Sequence, residues 1–156
     1  MVEKPINLRT LSRKLVDKSV AVIRESEEDE RPFLLYHSFA HTHTPLFTED
    51  RWDLLSSLLE SKESLFLLRL VGSSRHGPYG DTVIEMDEGV GRILEAIREV
   101  GAEANTLVYF TSDHGGDHPQ TGARGGFNGI FRGGKGNGAL EGGMRVPGIV
   151  KVSLGW

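Results

Sequence analysis

The chain of 156 residues contains no cysteine. That excludes a disulfide framework, a thiolate metal site and a cysteine nucleophile in one step. It also has no uninterrupted apolar run of about 18 residues, so no transmembrane helix is expected. The amino-terminal stretch "MVEKPINLRTLSRKL" carries charge but no apolar core, so it is not a signal peptide as it stands. Positive charge is not in excess: 18 Lys and Arg stand against 22 Asp and Glu, a formal net charge of −4. Nothing global therefore recruits nucleic acid. What remains, 38% hydrophobic and 26% charged residues, is the composition of a globular domain large enough to bury a core.

Two segments show helical periodicity. From Asn7 to Glu28, Leu8, Leu11, Leu15, Val16, Val22 and Ile23 recur near helical spacing between basic residues, which predicts an amphipathic helix. From Asp81 to Val100, Val83, Met86, Val90, Ile93, Leu94 and Ile97 recur at three and four, with Gly101 as the stop. Two runs look like strands: Phe33 to Phe39, after a proline, and the β-rich Thr106 to Thr111. Residues 50–73, rich in Leu and Ser, hold no single period and fit helix in one part and strand in another. Helix, strand, insert, helix, strand is the order of an α/β sheet flanked by helices. Ligands of such folds gather at the carboxyl ends of strands, where "HTHTP" and "SDHGG" stand.

Asp113 and His114 leave the second strand together. A carboxylate and an imidazole fixed by a strand end suit a metal, but the same pair also serves as a turn cap and a solvated histidine. His41 and His43 are expected to face different ways, so that only one meets a given pocket. An imidazole there is suited to general acid work near neutrality, and a pair of surface histidines beside Pro45 is the plainer alternative. Lys135 lies in "RGGKGNG", where glycines permit close backbone approach to an anion such as phosphate or sulfate. "GIFRGGKG" mimics most of a nucleotide phosphate loop, but Gly136 stands where the magnesium-binding hydroxyl belongs, and that assignment is rejected. Glu141 and Arg145 are expected to pair and pin the loop.

Four motifs in order, "RPFLLYHSFAHTHTPLF", "RHGPYGDTVIEMDEGVGRILEAI", "TLVYFTSDHGG" and "GGFNGIFRGGKGNGALEGGMRVPGI", together resemble the sulfatase family, in the arylsulfatase branch related to steryl-sulfatase. The resemblance implies an alkaline-phosphatase-like α/β domain with a mixed central sheet flanked by helices, and hydrolysis of sulfate esters. It implies Asp113 and His114 as ligands of a calcium ion, with an imidazole an unusual choice for so hard a cation. His43 would contact the sulfate and protonate the departing oxygen, and Lys135 would bind the same sulfate. The family's nucleophile is a formylglycine made from cysteine, which this chain lacks, as it lacks the family's upstream Asp pair, Arg, Lys and His.

An internal piece of such a domain is therefore expected over residues 1–156, with an atypical insert at about 50–73 and an atypical tail at 151–156. Alone it is expected to be inactive. The family places its members in the secretory pathway (endoplasmic reticulum, Golgi or lysosome). The alternatives are a non-catalytic binding protein, associating with a full-length sulfatase, or a metal-dependent phosphatase or phosphodiesterase of the same superfamily.

Overall fold

A computed structural model describes residues 4–28, 31–49, 74–117 and 126–152. The insert at 50–73 and the end of the tail lie outside the described residues. The chain divides into two compact units, Met1–Ala102 and Glu103–Trp156.

The first unit is built on two helices. Helix α1, Leu8–Glu28, starts where Asn7 Oδ1 accepts the Arg9 backbone N–H at 3.1 Å, an N-cap bond that satisfies an amide the helix itself cannot. Helix α2, Gly77–Glu99, carries Pro78 in its first turn, where a missing N–H costs nothing. Its end is a Schellman closure: Gly101 takes φ +69°, its N–H donates to Arg98 O at 3.0 Å, and Ala102 N–H donates to Ile97 O at 3.1 Å. Both helices thus match the periodicity to within a turn.

The apolar stripes of α1 and α2 meet, burying Val16, Val20, Ile23, Ala96 and Ile97. Gly89 permits the approach, since a Cβ there would stand 2.9 Å from Val16 Cγ2 and 3.1 Å from Phe39 Cε1. Arg92 reaches Asp17 at 2.6 Å and Arg24 reaches Glu99 at 2.7 Å. Because these pairs advance together along both helices, α1 and α2 run parallel. Parallel neighbours require the chain to return between them, and residues 31–49 are part of that return.

Phe33 to Phe39 keeps the in-out alternation of a strand but pairs with no strand among the described residues. Phe33, Leu35, His37 and Phe39 are half-buried, whereas Leu34 is 97% and Tyr36 90% exposed. The expected buried strand is therefore corrected. An alternating pattern sets which side chains turn inward, but a strand also needs a neighbouring ladder. What holds the segment is α1: Ser19 Oγ lies 2.7 Å from His37 Nδ1, and burial holds the His37 ring below its usual titration range.

Half-buried Glu88, on α2, has its carboxyl pushed up to about 7, first by desolvation and then by Glu85 and Glu49, with Arg92 opposing. A carboxyl whose folded pKa is raised leaves the fold most stable below its ordinary pKa, and stability is lost as pH rises through about 7. Glu88→Gln is therefore expected to raise the melting temperature at pH 8 and leave it unchanged near pH 4. Solvent screening reduces the gain to on the order of 1 kcal/mol. Equal gains at both pH values would show that the charge is not the cause.

The second unit pairs strand β1, Leu107–Thr111, with strand β2, Gly148–Val152. The pairing is antiparallel, from Leu107 opposite Val152 to Thr111 opposite Gly148. β1 was legible from its β-branched and aromatic run, but β2, in "RVPGIVKV", was not. Lys151 Nζ ties β2 to Glu103 Oε1 at 2.6 Å, just ahead of β1. The glycine-rich stretch is thus the connection between two paired strands, and its ends are fixed by their register.

Candidate functional site

The connection folds back on itself through its own backbone. Gly115 N–H donates to Gly143 O at 3.0 Å, Gly142 N–H to Arg132 O at 2.8 Å, and Lys135 N–H to Gly116 O at 3.2 Å. Asn128 organises the whole: its Oδ1 accepts the Gly116 N–H at 2.9 Å, and its Nδ2 donates to Gly116 O at 2.9 Å and to Gly133 O at 3.0 Å. One side-chain amide therefore joins the start of the connection to the approach of Lys135. Nothing in the local pattern singles out Asn128, because an Asn among glycines ordinarily marks only a turn.

Lys135 sits at the tip of a tight turn. Asn137 N–H donates to Gly134 O at 2.9 Å and Gly136 takes φ +85°, the arrangement of a type II turn with glycine at its third position. No helix follows it directly, which agrees with rejecting the nucleotide loop. The Lys135 side chain is exposed on a backbone tied at both sides. Behind it, helix α3, Glu141–Met144, buries Gly142 and Gly143. Glu141 and Arg145 do pair, at 2.6 Å, and the Arg145 guanidinium lies 4.6 Å from the centre of the Phe131 ring.

Asp113 and His114 are brought together at the exit of β1. His114 Nε2 stands 3.2 Å from Asp113 Oδ2, and Asp113 Oδ1 also accepts the His114 backbone N–H at 2.9 Å. His114 Nδ1 donates to Gly115 O at 2.9 Å, since a carbonyl can only accept. The Nε2 lone pair of a neutral ring would then face the Asp113 carboxylate, so the ring nitrogen and the carboxylate oxygen could share one cation. The Asp113 side chain is 81% exposed, so solvent reaches it freely. A complete calcium shell, however, takes about six to eight oxygens, and no group of three or more candidate ligands occurs among the described residues. The residues present fit an edge of such a site, not the site.

His43 belongs to the first unit, whereas Asp113, His114 and Lys135 belong to the second. It is exposed, its N–H donates to Ala40 O at 3.2 Å, and its Nδ1 donates to Thr44 O at 2.6 Å. Nδ1 being committed, proton transfer from this ring would run through Nε2. His43 and His41 share the rim of an open hollow of about 340 Å³, walled by Leu8, Leu11, Phe39, Pro45 and Phe47. The two histidines do face differently, but not by strand alternation, which would put residues two apart on one face. A turn at 41–42 separates them, leaving His41 inside and His43 outside.

A family profile described as Sulfatase matches residues 3–156. The chain is 43% identical over 155 residues to the steryl-sulfatase of Mus musculus, covering 97% of this chain and 22% of that protein. It is 41% identical over 155 residues to arylsulfatase D of Homo sapiens, covering 96% of this chain and 22% of that one. The crystal structure of PsFucS1 sulfatase from Pseudoalteromonas sp. is similar with a TM-score of 0.78 at 29% identity, over 97% of this chain and 27% of the other. The chain therefore spans about a quarter of the length of these relatives.

Proposed function

Because the chain belongs to the sulfatase family, we propose that it carries part of the site of a sulfuric ester hydrolase, with Lys135 and His43 each as a candidate contact of the sulfate. The observation that supports this most is the presentation of Lys135. An ammonium carried on a tight turn, with the backbone braced by Asn128 and Gly116, is presented from a fixed position rather than from a loose loop. A preorganised cation of this kind offsets the charge that gathers on the sulfate oxygens during transfer. The His43 ring, with Nδ1 held by Thr44, would supply a proton from Nε2 to the departing alcohol oxygen. Asp113, with His114 beside it, would supply an edge of the metal shell.

The formylglycine of the family does not fit this chain, which has no cysteine from which to make it. No nucleophilic step is therefore assigned to any residue present. The substrate class is a sulfate ester, and the corresponding compartment is the secretory pathway. The atypical insert at about 50–73 and the atypical tail at 151–156 complete the same proposal as additions to one partial sulfatase domain.

Titration of the isotope-labelled chain with sodium sulfate tests the anion site. Amide signals of residues 133–137 are expected to shift and saturate at roughly millimolar sulfate, the strength of a few charge-assisted contacts. Lys135→Ala should abolish the shifts, and chloride at equal ionic strength should not reproduce them. Shifts that survive in Lys135→Ala would defeat the assignment.

A further inference from the structure

The end of the 33–39 segment is anchored in a buried charge cluster that the proposed sulfate site does not use. His41 and Glu85 are only 6% and 13% exposed in their side chains, and His41 Nε2 stands 3.4 Å from Glu85 Oε2. That nitrogen is sealed from solvent and makes no aligned hydrogen bond. The contact is thus at ion-pair distance without hydrogen-bond alignment, and the carboxylate is the acceptor toward which the ring is turned. Glu85 also accepts the Glu49 backbone N–H at 3.3 Å. A single carboxylate on α2 therefore touches the returning chain on both sides of the turn that carries His43.

The charged groups around this pair come from every element packed on it. α1 contributes Arg13, which donates to buried Glu49 at 2.8 Å, and Asp17, which receives Arg92. α2 contributes Glu85, Glu88 and Arg92, and the returning chain contributes His41 and Glu49.

We propose that Glu85 is a positioning residue for His43: by holding His41 from α2, it fixes the turn that presents the His43 ring at the rim of the hollow. Only one residue separates the two histidines, and the turn between them is otherwise closed by the 3.2 Å bond from His43 N–H to Ala40 O. The inward histidine is the anchor and the outward one is what it aims. The importance of this clamp for sulfate transfer rests on the role proposed for His43 above; the clamp itself does not.

The test uses the full chain with labelled histidines, comparing wild type with Glu85→Ala, Glu85→Gln and Glu85→Asp. In Glu85→Ala the His43 amide is expected to exchange about tenfold faster, while the Ala96 and Ile97 amides of the helix core keep their protection. The His41 ring signals should move in both Glu85→Ala and Glu85→Gln, which remove the contacting carboxylate, and return part of the way in Glu85→Asp. Unchanged exchange at His43 in Glu85→Ala overturns the proposal, as does equal acceleration at Ala96, which would mean general loosening. Sulfate added to the wild type gives a separate reading: His43 signals that ignore sulfate would count against its substrate role and leave the clamp standing.

Discussion

The 156-residue chain, offered an aryl sulfate ester with calcium, is expected to release no sulfate above the level of its Lys135→Ala variant. With no cysteine in the sequence, the aldehyde hydrate that attacks sulfur in the family cannot be made here. Loss of a nucleophile in well-studied hydrolases costs on the order of a million-fold in turnover, far more than neighbouring cations can restore. The roles proposed for Lys135 and His43, stabilising charge and moving a proton, do not replace a bond-forming group. Sulfate release measured over hours by ion chromatography is the check. Turnover that disappears in Lys135→Ala would mean that another residue of this chain acts as nucleophile.

Substituting Gly142 by alanine is expected to break open the connection that carries Lys135. A Cβ at Gly142 would fall on the carbonyl groups of Gly133 and Arg132, and one at Gly115 would fall on the carbonyl of Gly142. These obstacles are backbone, so no side-chain rotation relieves them. The cost should reach about 3 kcal/mol, the upper part of the range for overpacking. Asn128→Ala removes three bonds of 2.9, 2.9 and 3.0 Å and is expected to cost somewhat less, about 2 kcal/mol. Gly138→Ala meets open space and serves as the control. Amide exchange at Lys135 and Gly142 should quicken in the first two variants only. A Gly142→Ala protein as quiet as the control would show that the glycines do not pack as a wall.

Both variants bear on why glycine is so frequent in this stretch. The close passes at 115, 142 and 143 and the positive φ at Gly133 and Gly136 require residues without a Cβ. Composition alone left the stretch open to either a linker or a site, and the hydrogen bonds that tie it down join residues well apart in the chain.

Local pattern was enough for α1, α2, the closure at Gly101 and β1, because a helical stripe or a β-rich run is set by near neighbours. The absence of cysteine from these 156 residues needs no structure at all. Tertiary structure alone decided the rest. β2 is a strand because β1 lies opposite it, and Phe33 to Phe39 lacks that partner among the described residues despite its better strand pattern. His41 turns inward because Glu85, on a helix remote in sequence, receives it. Asn128 matters because Gly116 and Gly133 come within its reach. Sequence periodicity tells a side chain which way to face, whereas the group it meets there is set by chain that folds back from elsewhere.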